Sequence, residues 1–185
     1  MEQFTQYLNL STSFGTILLL ISVICIVGMM IKDRFFSKSS EKSFILDYFK
    51  EKSLIIGFLI VSASVLISLI YSEVIGYIPC ELCWIQRIFL YPQFVILGLA
   101  LWKKTRDADL YCLALSIIGT VIAGYHFYGQ SIDSSVLPSC DVVGGASCSV
   151  RYFVEFGFVT IPMMSVTAFF FLVLLMLLHL RNYNK

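Results

Sequence analysis

Two cysteines three positions apart, Cys80 and Cys83, stand in the run Pro79-Cys80-Glu81-Leu82-Cys83-Trp84-Ile85-Gln86-Arg87. A Cys-x-x-Cys pair can close a small, strained disulfide, and such rings exchange electrons readily. If a helix begins here, its first unpaired N–H groups and its dipole favour a thiolate over a thiol. Arg87 lies four residues after Cys83, one turn along and on the same face, and adds a fixed positive charge. At the mouth of an apolar run, this combination points to a redox centre at a membrane edge more than to a structural clip.

The elements that position these residues are apolar spans. Of the 185 residues 58% are hydrophobic and only 14% charged, and the apolar residues are grouped in runs, which is a bilayer composition rather than a globular one. A net charge of +1, with no basic stripe interleaved with aromatics, gives no footprint for nucleic acid. Charge-free runs cover Phe14 to Ile31, Ser53 to Ser72, Ile88 to Trp102, Leu110 to Ile132 and Phe156 to Leu178. The third reaches back to Leu82 if Arg87 is tolerated by snorkelling. About 20 residues cross the hydrocarbon core, so five spans are predicted. Met1 to Ser13 carries no basic residue and no small-x-small cleavage site follows, so the first span reads as a retained helix rather than a leader. Pro92 is expected to kink the third span, and Pro162 falls near the start of the fifth.

Orientation follows from Lys and Arg. With five spans, Lys32, Arg34, Lys38, Lys42, Lys50, Lys52, Lys103, Lys104, Arg106, Arg181 and Lys185 share one side, and only Arg87 and Arg151 share the other. The basic side is predicted to be cytoplasmic and the N-terminus outside. Two outward segments remain, near Tyr71 to Arg87 and Gly129 to Glu155. The first carries Cys80 and Cys83; the second carries Cys140 and Cys148 with the turn-formers Pro138, Gly144 and Gly145. All four cysteines thus face the oxidising side, where disulfides persist. Cys25 and Cys112 fall inside spans and read as inert packing residues.

Three chemistries compete for the four outward sulfurs: redox exchange, two static bridges, or a four-thiolate zinc site. A ring as small as Cys80-x-x-Cys83 adds little loop-closure stabilisation, which weakens the static reading. The eight-residue step from Cys140 to Cys148 and the oxidising compartment weaken the zinc reading, so no metal is assigned. Arg87 could be a flank anchor, but ionisable groups at that depth usually face protein or ligand. Gln86 reads as an ordinary interfacial polar residue. His126, in Tyr125-His126-Phe127-Tyr128 at the outer end of the fourth span, reads equally as a helix-packing or a proton-handling residue. Tyr71, Tyr77, Trp84, Tyr125, Tyr128 and Tyr152 suit an interfacial belt.

The run Pro79 to Arg87, followed by Tyr91-Pro92, closely resembles the disulfide bond formation protein B family, in its BdbC-like, thiol-disulfide oxidoreductase C form. The second outward cysteine pair and the stretch from Phe156-Gly157-Phe158 to Pro162 match as well, and the similarity covers about Lys50 to Arg181. The resemblance implies an all-α integral membrane protein of the cell membrane: a four-helix transmembrane bundle, residues 50–185, here preceded by one extra N-terminal transmembrane helix and a basic linker, residues 1–49. It implies an enzyme that reoxidises an extracytoplasmic thioredoxin-fold (DsbA-like) thiol oxidase and passes two electrons to a quinone, menaquinone or ubiquinone. It implies roles by position: Cys83 meets the quinone ring, Cys80 exchanges with the second loop, Cys140 is attacked by the partner, and Cys148 connects it to Cys80. Arg87 and His126 would hold the quinone. The extra helix lies outside the family pattern, and the seven residues between Cys140 and Cys148 make a shorter loop than in proteobacterial members. A vitamin K epoxide reductase-like enzyme is the runner-up; there the membrane-edge Cys-x-x-Cys follows the loop pair, whereas here it comes first. A membrane assembly factor with structural bridges is the non-enzymatic alternative.

Overall fold

The computed structural model describes residues 2–35, 44–105, 108–138 and 146–183. Five long helices carry the chain: α1 (Glu2–Phe35), α2 (Phe44–Leu69), α3 (Glu81–Lys103), α4 (Ala108–Ser131) and α5 (Ile161–Tyr183). All five are long and apolar enough to cross a membrane, so the chain is an all-α, multi-pass membrane protein, as the charge-free runs predict. Its outer surface is apolar. Leu18, Leu59, Ile88, Val121 and Trp102 are all exposed on the helix faces, as a hydrocarbon solvent allows.

α5 is the centre of the bundle and packs against α1, α2 and α4. Phe169, Leu172, Leu175, Met176 and Leu178 on it are fully buried, joined by Ile26 of α1, Val61 of α2 and Leu97 of α3. Gly119 of α4 lets α5 approach closely: a Cβ built there would sit 2.5 Å from the Phe169 ring. Small residues commonly serve this purpose where helices meet in a bilayer. Between α3 and α4, the buried Ser116 hydroxyl donates to Gln93 Oε1 at 3.0 Å, and the Gln93 amide donates to the Phe89 carbonyl at 2.9 Å. Polar groups inside the membrane thus meet each other rather than lipid.

Helix ends depart from the charge-free runs in three places. α1 begins at Glu2, well before Phe14. Its hydroxyls bond back along the helix, Thr12 to the Leu8 carbonyl at 2.8 Å and Thr16 to the Thr12 carbonyl at 2.9 Å, so polar residues do not interrupt it. α3 extends back through Arg87 to Glu81 and runs on through Pro92. α5 begins at Ile161 rather than Phe156. Phe156 and Gly157 take positive φ values of 51° and 80°, and Glu155 and Val159 exchange backbone hydrogen bonds of 3.0 and 2.9 Å across the turn. That left-handed pair cannot be helical, so the helix starts after it, with Pro162 in the first turn where no intrahelical donor is needed.

Candidate functional site

The end of α2, the start of α3, the end of α4 and the segment before α5 meet at one end of the bundle. α2 finishes in a π-helical turn, Ile70–Val74, and the chain then passes through Gly76, at a positive φ of 84°, before entering α3. Cys80 is the N-cap of α3, with extended backbone, and its sulfur accepts the Cys83 N–H at 3.4 Å. The expected helix start thus falls at the cysteine pair, and the sulfur capping the helix is that of Cys80. Its Sγ lies 2.8 Å from Cys83 Sγ. Contact with the Cys83 sulfur, followed by burial, pushes the Cys80 thiol up to about 12, against the opposing pull of His126.

His126 is the hub. It is 2% exposed. Its Nδ1 stands 3.1 Å from the Gln86 amide nitrogen, its Nε2 3.1 Å from the Cys148 carbonyl oxygen and 3.8 Å from Cys80 Sγ. An amide nitrogen only donates, so Nδ1 accepts, and the ring proton sits on Nε2, where it is donated to the Cys148 carbonyl. One turn further along α4, Gln130 donates to the Val150 carbonyl at 2.8 Å, and Arg151 returns a bond to the Gln130 carbonyl. Two α4 side chains therefore hold the backbone of residues 148–150 over the start of α3. The ligand atoms of Cys80, His126 and Cys148 all lie within 4.8 Å of one another, and Leu82, Ile85, Ile122 and Leu137 pack around the sulfurs.

The structure thus brings together Cys80, Cys83, Cys148 and His126. Cys140, with Gly144 and Gly145, lies outside the described residues. Cys112 is buried in the main core, as expected, whereas Cys25 is exposed on the outer face of α1. Gln86 is not the ordinary interfacial residue that its position suggests: it is 7% exposed and orients the His126 ring. Gln130, which the sequence reading passes over, shares its helix face with His126, and a second polar residue four positions away inside an apolar run is the signal that could have found it.

Arg87 does not touch the cysteines directly. Its Nε donates to Ser68 Oγ at 3.0 Å and its Nη2 to the Ser68 carbonyl at 3.1 Å, while the guanidinium lies 5.0 Å from the centroid of the Trp84 ring. Tyr71, Tyr77, Tyr152 and Phe153 are more than a scattered belt. Tyr77 stacks on Tyr152 with centroids 4.2 Å apart, Tyr71 stacks on Tyr77 at 5.6 Å and on Phe153 at 5.7 Å. The Tyr152 hydroxyl donates to the Ile78 carbonyl at 2.7 Å, which ties the second loop to the first; burial raises the Tyr152 phenol above its ordinary value.

Beneath this cluster opens a cavity of about 480 Å³. Cys80, Cys83, Gln86, Arg87 and His126 line it, together with apolar side chains such as Leu19, Ile60, Leu90, Met164 and Phe169. A volume of this size suits a drug-sized molecule.

Comparison with known proteins places the chain among disulfide bond formation proteins. The family profile described as disulfide bond formation protein DsbB matches residues 50–180. The chain is 36% identical to the probable disulfide formation protein C 2 of Bacillus anthracis over 132 residues, which are 70% of this chain and 93% of that protein. It is 43% identical to the probable disulfide formation protein of Oceanobacillus iheyensis over 120 residues, 64% of this chain and 81% of that one. It is 40% identical to the disulfide bond formation protein C of Bacillus subtilis over 112 residues, 60% and 80% of the two chains. No solved structure matches. The family match takes in the Cys-x-x-Cys helix start, the α4 hub and the central α5 together, and the chain belongs to the DsbB family of membrane disulfide bond formation proteins.

Proposed function

We propose that this chain reoxidises a thioredoxin-fold thiol oxidase outside the cell membrane and delivers the electrons to a quinone within it. The observation that carries the reading is the gathering of Cys148 against Cys80, which with Cys83 lines the cavity that Arg87 also lines. The eleven basic residues on the opposite side, against two on this one, support an extracytoplasmic position for both loops. Residues 50–185 would be the catalytic bundle, with residues 1–49 an addition to it.

In the proposed relay, a thiolate of the reduced partner attacks the Cys140 sulfur of a Cys140–Cys148 disulfide, forming a mixed disulfide and releasing Cys148. The partner's second thiolate displaces Cys140, so the partner leaves as a disulfide and two electrons remain on the chain's sulfurs. Cys148 passes them on by attacking Cys80 of the Cys80–Cys83 disulfide, forming a Cys148–Cys80 bridge and releasing Cys83 towards the cavity; Cys140 then attacks Cys148, restoring Cys140–Cys148 and leaving Cys80 and Cys83 as the reduced pair. His126 and Gln130 hold the Cys148 segment within reach of Cys80 for this exchange. When bound, a quinone would supply the two-electron, two-proton acceptor that completes the balance. Arg87 and His126 would hold it, with the apolar walls taking its tail.

Purified protein should convert one reduced partner to its disulfide per quinone consumed, and each of Cys80→Ser, Cys83→Ser, Cys140→Ser and Cys148→Ser should abolish turnover. Quinone-independent turnover by the wild type, or retained turnover in Cys140→Ser, would sink the two-pair relay. A second reading has one observation in its favour: Cys80, His126 and Cys148 present a two-sulfur, one-nitrogen donor set close enough to share a zinc ion. Stoichiometric metal in the active protein, with activity lost to a chelator and restored by zinc, would establish it instead.

A further inference from the structure

α1 lies outside the residues that match the family, yet it is built into the cavity. Its first half has an inverted pattern. Asn9, Thr12, Ser13 and Thr16 are buried, while Phe4, Tyr7, Leu10, Phe14 and Leu18 are exposed. The buried positions recur at i, i+3, i+4 and i+7, one face of a helix. A helix that served only as an anchor would have no reason to turn hydroxyl and amide groups inward, because such groups are costly in a bilayer without polar partners. Here the partner is Tyr71 of the turn after α2: its hydroxyl donates to Asn9 Oδ1 at 3.0 Å and lies 2.9 Å from Thr12 Oγ1. Thr12, Gly15, Thr16 and Leu19 then face the cavity, which Cys83 and Arg87 line from α3. A Cβ placed on Gly15 meets nothing within 4 Å. The helix leaves open space at that point.

We propose that α1 forms a wall of the acceptor cavity, and that Gly15 and the Thr12–Tyr71 contact set the room and shape available to the quinone. This rests on the quinone reading above. α1 keeps lipid out of the side of the cavity facing it, and Gly15 keeps that side wide enough for a planar ring. A side chain at Gly15 starts into open space, since its Cβ meets no protein atom within 4 Å, and so takes room from the ligand. At Gly28, on the same helix, a Cβ also meets nothing within 4 Å, but Gly28 does not line the cavity.

The test compares the full-length wild type with Gly15→Phe, Thr12→Val and Gly28→Phe in lipid nanodiscs. Equilibrium binding of a short-chain quinone is read by quenching of tryptophan fluorescence, and single-turnover thiol exchange with the partner is read without quinone. Gly15→Phe should weaken quinone binding at least tenfold. Thr12→Val, which keeps the side-chain volume and loses the hydroxyl, should weaken it by about two- to tenfold, as for one hydrogen bond. Gly28→Phe should bind as wild type, and all three should keep single-turnover exchange. If Gly15→Phe is too unstable to assay, Thr12→Val alone decides. Wild-type affinity in Gly15→Phe or Thr12→Val, or an equal loss in Gly28→Phe, overturns the wall. Absence of quinone binding in the wild type overturns the proposed function itself, and this inference with it.

Discussion

Arg87→Ala should raise the quinone concentration needed for half-maximal turnover by roughly ten- to hundredfold and leave thiol exchange with the partner in place. The size follows from how the side chain is held. A guanidinium has five N–H donors. Two of them are spent on Ser68, from Nε to Oγ and from Nη2 to the carbonyl. The other face of the group lies over Trp84. Three donors, five less the two on Ser68, are left in a plane fixed between α2 and α3 at the cavity lining. A hydrogen bond from a charged donor contributes about 1.5–3 kcal/mol, and about 1.4 kcal/mol is tenfold in a dissociation constant. Arg87→Lys should fall between the two, because a point charge cannot hold Ser68 and a ring carbonyl in one plane. Ser68→Ala should show a smaller loss than Arg87→Ala, since the charge stays and only its orientation is loosened. The assay is partner oxidation over a range of quinone concentrations, beside single-turnover exchange without quinone. An Arg87→Ala enzyme with wild-type apparent quinone affinity would refute the reasoning and leave Arg87 as an interfacial anchor.

Three further predictions bear on the site, the bundle and the topology. Alkylation of Cys80 in the reduced protein, followed by mass spectrometry, should keep accelerating above pH 9, because its thiol is raised from 9.0 to about 12. The matching contribution to stability is fully present below pH 9 and lost as pH rises towards 12. Removing the first cause, by Cys83→Ser, should bring the inflection down, and an unchanged profile would mean that the contact between the sulfurs is not what holds the proton. Gly119→Ala should cost roughly 1–3 kcal/mol of stability, as overpacking at a close helix crossing does, read as a lowered Tm, whereas Gly124→Ala, where a Cβ meets nothing within 4 Å, should be near neutral. In intact cells, cysteines introduced at Ser39 and Asp107 should be shielded from an impermeant thiol reagent and one at Ser134 labelled; labelling at Ser39 would overturn the orientation.

Much of this architecture was legible because lipid imposes simple rules. A charge-free run long enough to cross the bilayer has few alternatives, so all five helices show in the sequence, and the Cys80-x-x-Cys83 start of α3 shows with them. What resisted reading were relations between helices. Gln86 looks like an interfacial polar residue, and Gln130 draws no reading at all, until α4 is laid against α3; only then does one orient His126 and the other hold Val150. The aromatic residues Tyr71, Tyr77 and Tyr152 suit a headgroup belt by type, and nothing in their spacing reveals the stack. The start of α5 was misplaced because hydropathy cannot see that Phe156 and Gly157 turn left-handed. The polar face of α1 is hidden for a related reason: Asn9 and Thr12 lie ahead of the Phe14 to Ile31 run when counted along the chain, and acquire meaning only opposite Tyr71.

The central place of α5 has a consequence for biosynthesis. Chains are made from the N-terminus, so the helix that α1, α2 and α4 pack against is the last of the five to leave the ribosome. Until it inserts, α1, α2 and α4 lack the partner they share, and Gly119 has no Phe169 to receive. The segment carrying Cys148 is translated just before α5, so it settles over Cys80 only as the last helix closes the bundle. Cys80 and Cys83 are therefore made before His126 and Cys148, the residues that will surround them.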